Sequence, residues 1–119
     1  MRKLGDLEAL VMEQLWSSDG PLSVRQVLEA LPDGRTRAYT TVMTVLDNLF
    51  QKGFVERERS GRAYLYWATQ GRAAHTARAM EDALASGGDR GAALMHFVEQ
   101  LTPEESAQLR ALLGEASPS

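Results

Sequence analysis

Residues 38–52 space their apolar side chains as a helix does, and the segment stops at a glycine. Val42, Val45, Leu46 and Leu49 fall on one side at a helical period. Gly53 follows Lys52 and suits the left-handed position that ends a helix. Two alternating segments come directly after it, 54–59 and 62–67, on either side of Ser60-Gly61. That arrangement predicts a tight hairpin. A helix that buries one face and hands the chain straight to a hairpin needs further elements to cover it.

The residues before it supply two helices. The first is expected over about 5–17, with Leu7, Val11 and Leu15 as a stripe and Leu10 beside it. Asp19-Gly20-Pro21 ends it in a turn. Ser23 with Gln26 three residues on makes a capping box for a second helix over 24–31, with Val24, Val27, Leu28 and Leu31 inward. Pro32-Asp33-Gly34 stops that helix, and Thr36 is a candidate cap for the third. In the hairpin, Val55, Arg57 and Arg59 alternate with Glu56 and Glu58, while Tyr64 and Tyr66 alternate with Leu65 and Trp67. Alternation alone does not say which face is buried. Three helices followed by a two-stranded hairpin is the order of a winged helix-turn-helix, although other small α+β domains share it.

Composition changes after Ala68. An alanine-rich helix is expected over 70–86, with Ala74, Ala77, Met80 or Glu81, and Leu84 at helical spacing. Glycines at 87, 88 and 91 form a break. A helix over 92–101 follows, with Leu94, Phe97, Val98 and Leu101 on one side. Thr102-Pro103-Glu104-Glu105 is a start signal for a last helix that carries Leu109, Leu112 and Leu113 and is capped by Gly114. Residues 115–119 are expected to fray. These helices are too small to make a core of their own. A second copy of the chain would cover them, and a two-fold dimer would present two winged domains to a palindromic site. The alternative is a monomer whose tail folds back. The expected class is therefore mostly α with a small β-hairpin. Residues 1–68 form a winged helix DNA-binding domain, and 69–119 a helical dimerisation region with a frayed tail.

The formal net charge is −3, which looks wrong for a nucleic-acid protein. Its distribution matters more. Residues 1–68 carry nine basic and nine acidic side chains, and 69–119 carry four and seven. Within 35–68 the balance is six basic to three acidic, which allows a positive patch on a neutral domain. With no cysteine there is no disulfide, thiolate metal site or cysteine nucleophile. His75 and His96 are far apart and make no ligand cluster. No cofactor or metal is expected. The amphipathic start carries Glu8 and Glu13 and reads as no signal peptide, and no apolar run spans a bilayer. A cytoplasmic location is expected, without membrane insertion. No nucleophile with a spaced base and no phosphate-binding glycine loop argues for an enzyme.

The outer face of the third helix is the unusual part. Thr40, Thr41 and Thr44 sit there, although threonine is a poor helix former. With the apolar side inward, Thr40, Thr44, Asp47 and Gln51 form one outer stripe, flanked by Arg37, Thr41 and Asn48. Short hydroxyls let a helix backbone approach a major groove, and they bond phosphates or base edges. Asn48 or Gln51 would reach adenine. Met43 is an apolar contact or core. Asp47 is a poor neighbour for phosphate and would orient an arginine or face cytosine. A plain solvated face is the alternative, but solvent would favour Glu and Lys. Arg57, Arg59 and Arg62 surround the hairpin tip, with Arg62 the best single wing contact; the alternative is local pairing with Glu56 and Glu58.

The segment Ala38-Tyr-Thr-Thr-Val-Met-Thr-Val-Leu46, with Leu49, Lys52-Gly53, Val55, Gly61-Arg-Ala-Tyr64 and Tyr66, resembles the BlaI/MecI/CopY, or penicillinase repressor, family. Leu7-Glu8, Val11-Met12, Leu15-Trp16, Val24-Arg25 and Val27 match at the front, and the resemblance covers about 4–114. It implies a homodimeric transcriptional repressor on double-stranded operator DNA with TACA/TGTA-like dyads. Thr40, Thr41 and Thr44 then belong to the recognition helix and Arg62 to the wing. Arg37, Asn48 and Gln51 are added on geometry. The dimer would rest on Met80, Leu84, Leu94, Phe97, Val98, Leu101, Leu109, Leu112 and Leu113.

Members that control β-lactam resistance are inactivated by proteolysis, which a membrane metallopeptidase sensor triggers. The matching segment here is Ala93-Leu-Met-His-Phe-Val-Glu99, with His96-Phe97 as the bond cut; some members carry Asn in place of His96. An antibiotic-resistance or cell-envelope response is implied. Copper sensing through a C-terminal cysteine cluster is not, since the chain has no cysteine. The competing class is a winged module that binds protein, and a regulator with another inducing signal is a further alternative.

Overall fold

The computed structural model describes residues 4–116. In chain order the elements are α1 (Asp6–Ser17), β1 (Leu22–Ser23), α2 (Val24–Ala30), α3 (Tyr39–Gln51), β2 (Val55–Ser60), β3 (Ala63–Ala68), α4 (Arg72–Ser86), α5 (Arg90–Glu99) and α6 (Pro103–Ala116). The chain divides into two compact units, Met1–Ala77 and Arg78–Ser119. The first turns of α4 thus belong to the first unit.

The first unit is a three-helix and sheet domain around one core. Val11, Met12 and Leu15 of α1 meet Val24, Val27 and Leu31 at α2, Val42, Leu46 and Leu49 of α3, and Val55 and Tyr66 of the sheet. Met12 is buried although it lies outside the expected stripe, and Leu10 is 37% exposed. The hairpin is present and antiparallel, with Arg57 opposite Tyr66 and Ser60 opposite Ala63. It is extended by a third strand. Leu22 pairs with Tyr66 and Ser23 with Leu65, which gives the order β1-β3-β2. A two-residue strand has no alternation to read, so this pairing was invisible in the sequence. The register also settles the faces. Val55 and Tyr66 point into the core, which sends Glu56, Glu58, Leu65 and Trp67 to the other side.

Local signals account for most helix ends. Ser23 Oγ accepts from the Gln26 amide, and Gln26 Oε1 accepts from the Ser23 amide, as a capping box requires. Thr36 does not cap α3. Its hydroxyl donates to the Asp33 carbonyl at 2.9 Å and closes the preceding turn, and Ala38 occupies the cap position without a side-chain bond. That turn needs Gly34, because a Cβ there would lie 2.0 Å from the Leu28 carbonyl oxygen. Gly53 leaves α3 at φ 85°, the left-handed exit read from the sequence.

In the second unit, Asp89 caps α5 through the Ala92 amide at 3.1 Å. Thr102 and Glu105 exchange reciprocal bonds at the start of α6. Gly114 does not end that helix, which runs on to Ala116. Part of the segment expected to fray is therefore helical, and residues 117–119 lie outside the described part. Leu84, Leu101 and Leu109 are half-buried, whereas Met80, Leu94, Met95, Phe97, Val98, Leu112 and Leu113 are 46–63% exposed.

One ion pair ties the two ends of the first unit's helices together. Lys52 Nζ donates to both Glu8 oxygens at 2.8 Å, joining the end of α3 to the first turn of α1. Burial acts to raise the Glu8 pKa, but the Gly5 amide and the Lys52 ammonium outweigh it and hold the carboxyl below its ordinary value. A carboxylate with a depressed folded-state pKa stabilises the fold above its unfolded pKa, and that contribution is lost as pH falls through the folded value. Lys52→Met is therefore expected to cost about 1 kcal/mol or less at pH 7, given solvent screening at the lysine. Urea melts should show parent and variant converging once the pH drops below the glutamate range.

Candidate nucleic-acid interface

Burial of Val42, Leu46 and Leu49 turns the opposite side of α3 outward. Thr40, Thr41, Thr44, Asn48 and Gln51 are all exposed on it. Among the described residues, the side chains of Thr40, Thr41, Thr44 and Asn48 make no bond within the protein. The hydroxyls are free to meet a ligand, and the short threonine side chains let an incoming surface approach the helix backbone at these positions. Tyr39 and Met43, one turn apart, are 41% and 43% exposed beside the threonines. Met43 is thus a surface side chain and no part of the core. The Arg25 guanidinium lies 5.7 Å from the Tyr39 ring centroid, which brings a cation from α2 to the same edge. No local pattern pairs Tyr39 with Arg25, since only the packing of α2 beside α3 brings them together.

The arginines divide into three kinds. Arg37 is engaged with Asp33, with Nε at 2.9 Å and Nη2 at 2.8 Å from Oδ2. The Arg37 bond is the largest influence holding the Asp33 carboxyl below its ordinary pKa. Arg62 is exposed at the β2–β3 turn and has no protein partner among the described residues. Arg59 is near it and donates to the Gly61 carbonyl at 3.3 Å. Gly61 sits at φ 63°, so the tight turn needs a residue without a Cβ.

Spacing groups Arg57 with the tip, but the structure places it elsewhere. Its guanidinium packs 4.0 Å from the Phe50 ring centroid and 4.4 Å from that of Tyr64. Its Nη1 lies 3.2 Å from Asp47 Oδ1. Asp47 orients an arginine, one of the two roles its position allowed. Local pairing with Glu56 or Glu58 does not account for these arginines, because no such ion pair occurs among the described residues. Tyr66 is the largest influence raising the Arg57 pKa; partial burial opposes it, and Asp47 and Tyr64 add to the rise.

The root of α4 is held on the same unit by side chains. Trp16 Nε1 donates to the Gln70 carbonyl at 2.9 Å, and Arg72 Nη2 donates to Glu13 at 2.6 Å. His75 lies 5.1 Å from the Trp16 ring and 5.6 Å from Phe54, centroid to centroid. It is a packing residue in an aromatic niche. Among the described residues no cluster of three or more His, Asp or Glu could hold a metal ion. No helix among them is long and apolar enough to cross a membrane.

An exposed helix with short polar side chains, next to a hairpin with a free arginine at its tip, is the geometry of a winged DNA-binding domain. The sequence profile of the penicillinase repressor family matches residues 4–115. The chain belongs to the penicillinase repressor family. It is 48% identical over 118 residues to a transcriptional regulator BlaI of Mycobacterium tuberculosis, in a match that spans 97% of this chain and 86% of that one. The solution structure of the DNA-binding domain of the repressor BlaI superposes with a TM-score of 0.52 at 25% identity, over 60% of this chain and 90% of that one. A point mutant of MarR from E. coli has a TM-score of 0.52 at 21% identity, over 98% of this chain and 79% of that one, and shares the fold alone. Members of the penicillinase repressor family are DNA-binding transcriptional regulators, not enzymes, and this chain is one of them.

Arg62 is exposed at the β2–β3 turn and has no partner among the described residues. Arg62→Ala is expected to weaken binding to specific and random duplexes alike and to lower the salt slope of log K by about one. Anisotropy titrations at several salt concentrations check it. Unchanged binding at low salt would remove Arg62 from the interface.

Proposed function

We propose that two copies of this chain form a symmetric repressor of transcription on a palindromic operator. The observation that carries the reading is the exposed, unbonded row Thr40, Thr41, Thr44 and Asn48 beside the free Arg62. Thr40, Thr41, Thr44, Asn48 and Gln51 enter the major groove, where hydroxyls and amides read base edges and thymine methyls. Arg62 takes a phosphate, and Arg37 contributes when the approach of DNA competes with Asp33. The resemblance to the family supports a TACA/TGTA-like dyad as the operator.

Dimerisation uses the C-terminal helices. Leu94, Phe97 and Val98 of α5, with Met80, Leu112 and Leu113, are 46–61% exposed, and a second copy of the chain would cover these apolar side chains. Leu84, Leu101 and Leu109 add half-buried apolar side chains to the same unit. Two linked winged domains bind two half-sites at high effective concentration, which raises operator affinity well above that of one domain.

Repression is relieved by proteolysis between His96 and Phe97, carried out in response to a membrane metallopeptidase sensor of β-lactam or cell-envelope stress. The bond lies in the last turn of α5, where helix ends open most readily. Cutting there detaches α6 and half of the apolar patch on α5. The dimer weakens, and operator occupancy falls with it.

Fluorescence anisotropy with duplexes from the chain's own upstream region, against a scrambled duplex, tests the reading. Tight, salt-sensitive binding at two chains per site is the expected result. Equal weak binding to both duplexes would overturn it. For the proteolytic step, a chain cut at His96-Phe97 is expected to sediment as monomer at concentrations where the parent is a dimer, and a cut chain that stays dimeric rules out that mechanism.

A further inference from the structure

The Arg57 side chain ties its own strand to two other elements. It rises from β2 and packs between Phe50 of α3 and Tyr64 of β3, and its end reaches Asp47 one turn back along α3. Asp47 belongs to the exposed stripe that holds Thr40, Thr44 and Gln51. Arg57 itself is only 22% exposed on its side chain. An arginine whose faces lie against rings and whose end meets a carboxylate is not available as a backbone contact.

We infer that Arg57 is a positioning residue for DNA binding, which locks the wing to the recognition helix and cancels the Asp47 carboxylate on the DNA-facing stripe. The inference rests on the DNA-binding reading of α3 and the β2–β3 turn. Beyond the pair Glu58–Leu65, one position past Arg57, the ribbon has only two strands, since β1 reaches no further than Leu65. A two-stranded ribbon twists easily and holds no fixed angle by its backbone alone. The stack on Phe50 gives it a lateral anchor to α3. The flat guanidinium suits this and a lysine does not, because lysine offers no planar face to two rings. The charge acts separately. An uncompensated carboxylate at Asp47 would repel phosphates, and Arg57 supplies the compensating charge from within the protein.

The test uses the full chain with R57A, R57K, D47A and the double substitution D47A/R57A. Amide hydrogen exchange on the free protein comes first. R57A and R57K should both speed exchange across residues 58–63 while leaving the core amides of α1 and α2 protected. Operator titration follows. R57A should weaken binding on the order of fivefold or more, the scale of one unit-charge interaction at about 4 Å in water. It should lower the salt slope by much less than the unit that Arg62→Ala removes, since only screened repulsion and no phosphate contact is involved. Removing Asp47 as well should recover part of the loss, so that D47A/R57A binds more tightly than R57A. D47A alone should bind random DNA more tightly than the parent.

A double variant no better than R57A would overturn the charge role. A salt slope that falls by about one in R57A would make Arg57 a phosphate contact and overturn the proposal. Unchanged exchange at 58–63 would overturn the lock. A parent chain that binds no DNA would sink the DNA-binding reading instead, and the exchange result would still decide whether Arg57 holds the wing.

Discussion

Everything at the interface follows from the anchoring of one face of α3. Val42, Leu46 and Leu49 are fully buried among side chains of α1, α2 and the sheet. Each such side chain contributes roughly 1.5–3 kcal/mol by leaving water. The helix therefore cannot rotate about its axis without exposing that row. Its other face is held toward solvent, and the positions of Thr40, Thr44 and Asp47 are set by residues that never meet a ligand. Poor intrinsic helix formers are tolerated on that face because packing of the inner face, not local propensity, holds the helix.

The domain also shows how a small fold treats its charges. Lys52 bonds Glu8, Arg72 bonds Glu13, Arg37 bonds Asp33 and Arg57 bonds Asp47. These pairs lie at joints: α3 to α1, the root of α4 to α1, the turn before α3, and the wing to α3. Much of the basic excess within 35–68 is thereby neutralised inside the protein. What remains for a polyanion is concentrated at a few side chains, with Arg62 at the tip. A chain with an acidic total can still present a cationic edge, because local geometry and not net charge sets the field at a contact.

Legibility tracked the range of the interaction involved. The capping box of Ser23 and Gln26, the start of α6 and the exit at Gly53 are local chemistry, and they stood in the sequence. The inner face of α3 was equally plain from its period. Thr36 was misread because a threonine hydroxyl serves a turn as well as a cap, and only the backbone path chooses between them. Gly114 was misread for a related reason, since a glycine ends a helix only where the next residues leave it. Leu10 and Met12 exchanged roles because α1 is covered on a broader face than one stripe describes.

The sequence by itself determined the helices, the hairpin and which face of α3 is polar, since periodicity and capping act within a few residues, whereas the short β1 left no pattern in it. It also carried the family, through a helix motif and a wing motif at a fixed separation. Only the tertiary structure decided where each arginine goes. Arg57 and Arg62 are five positions apart and of the same type, yet one is packed between two rings and the other stands free. That difference depends on strand register and on the approach of α3 to the sheet. Both are long-range packing outcomes, and no local pattern records them.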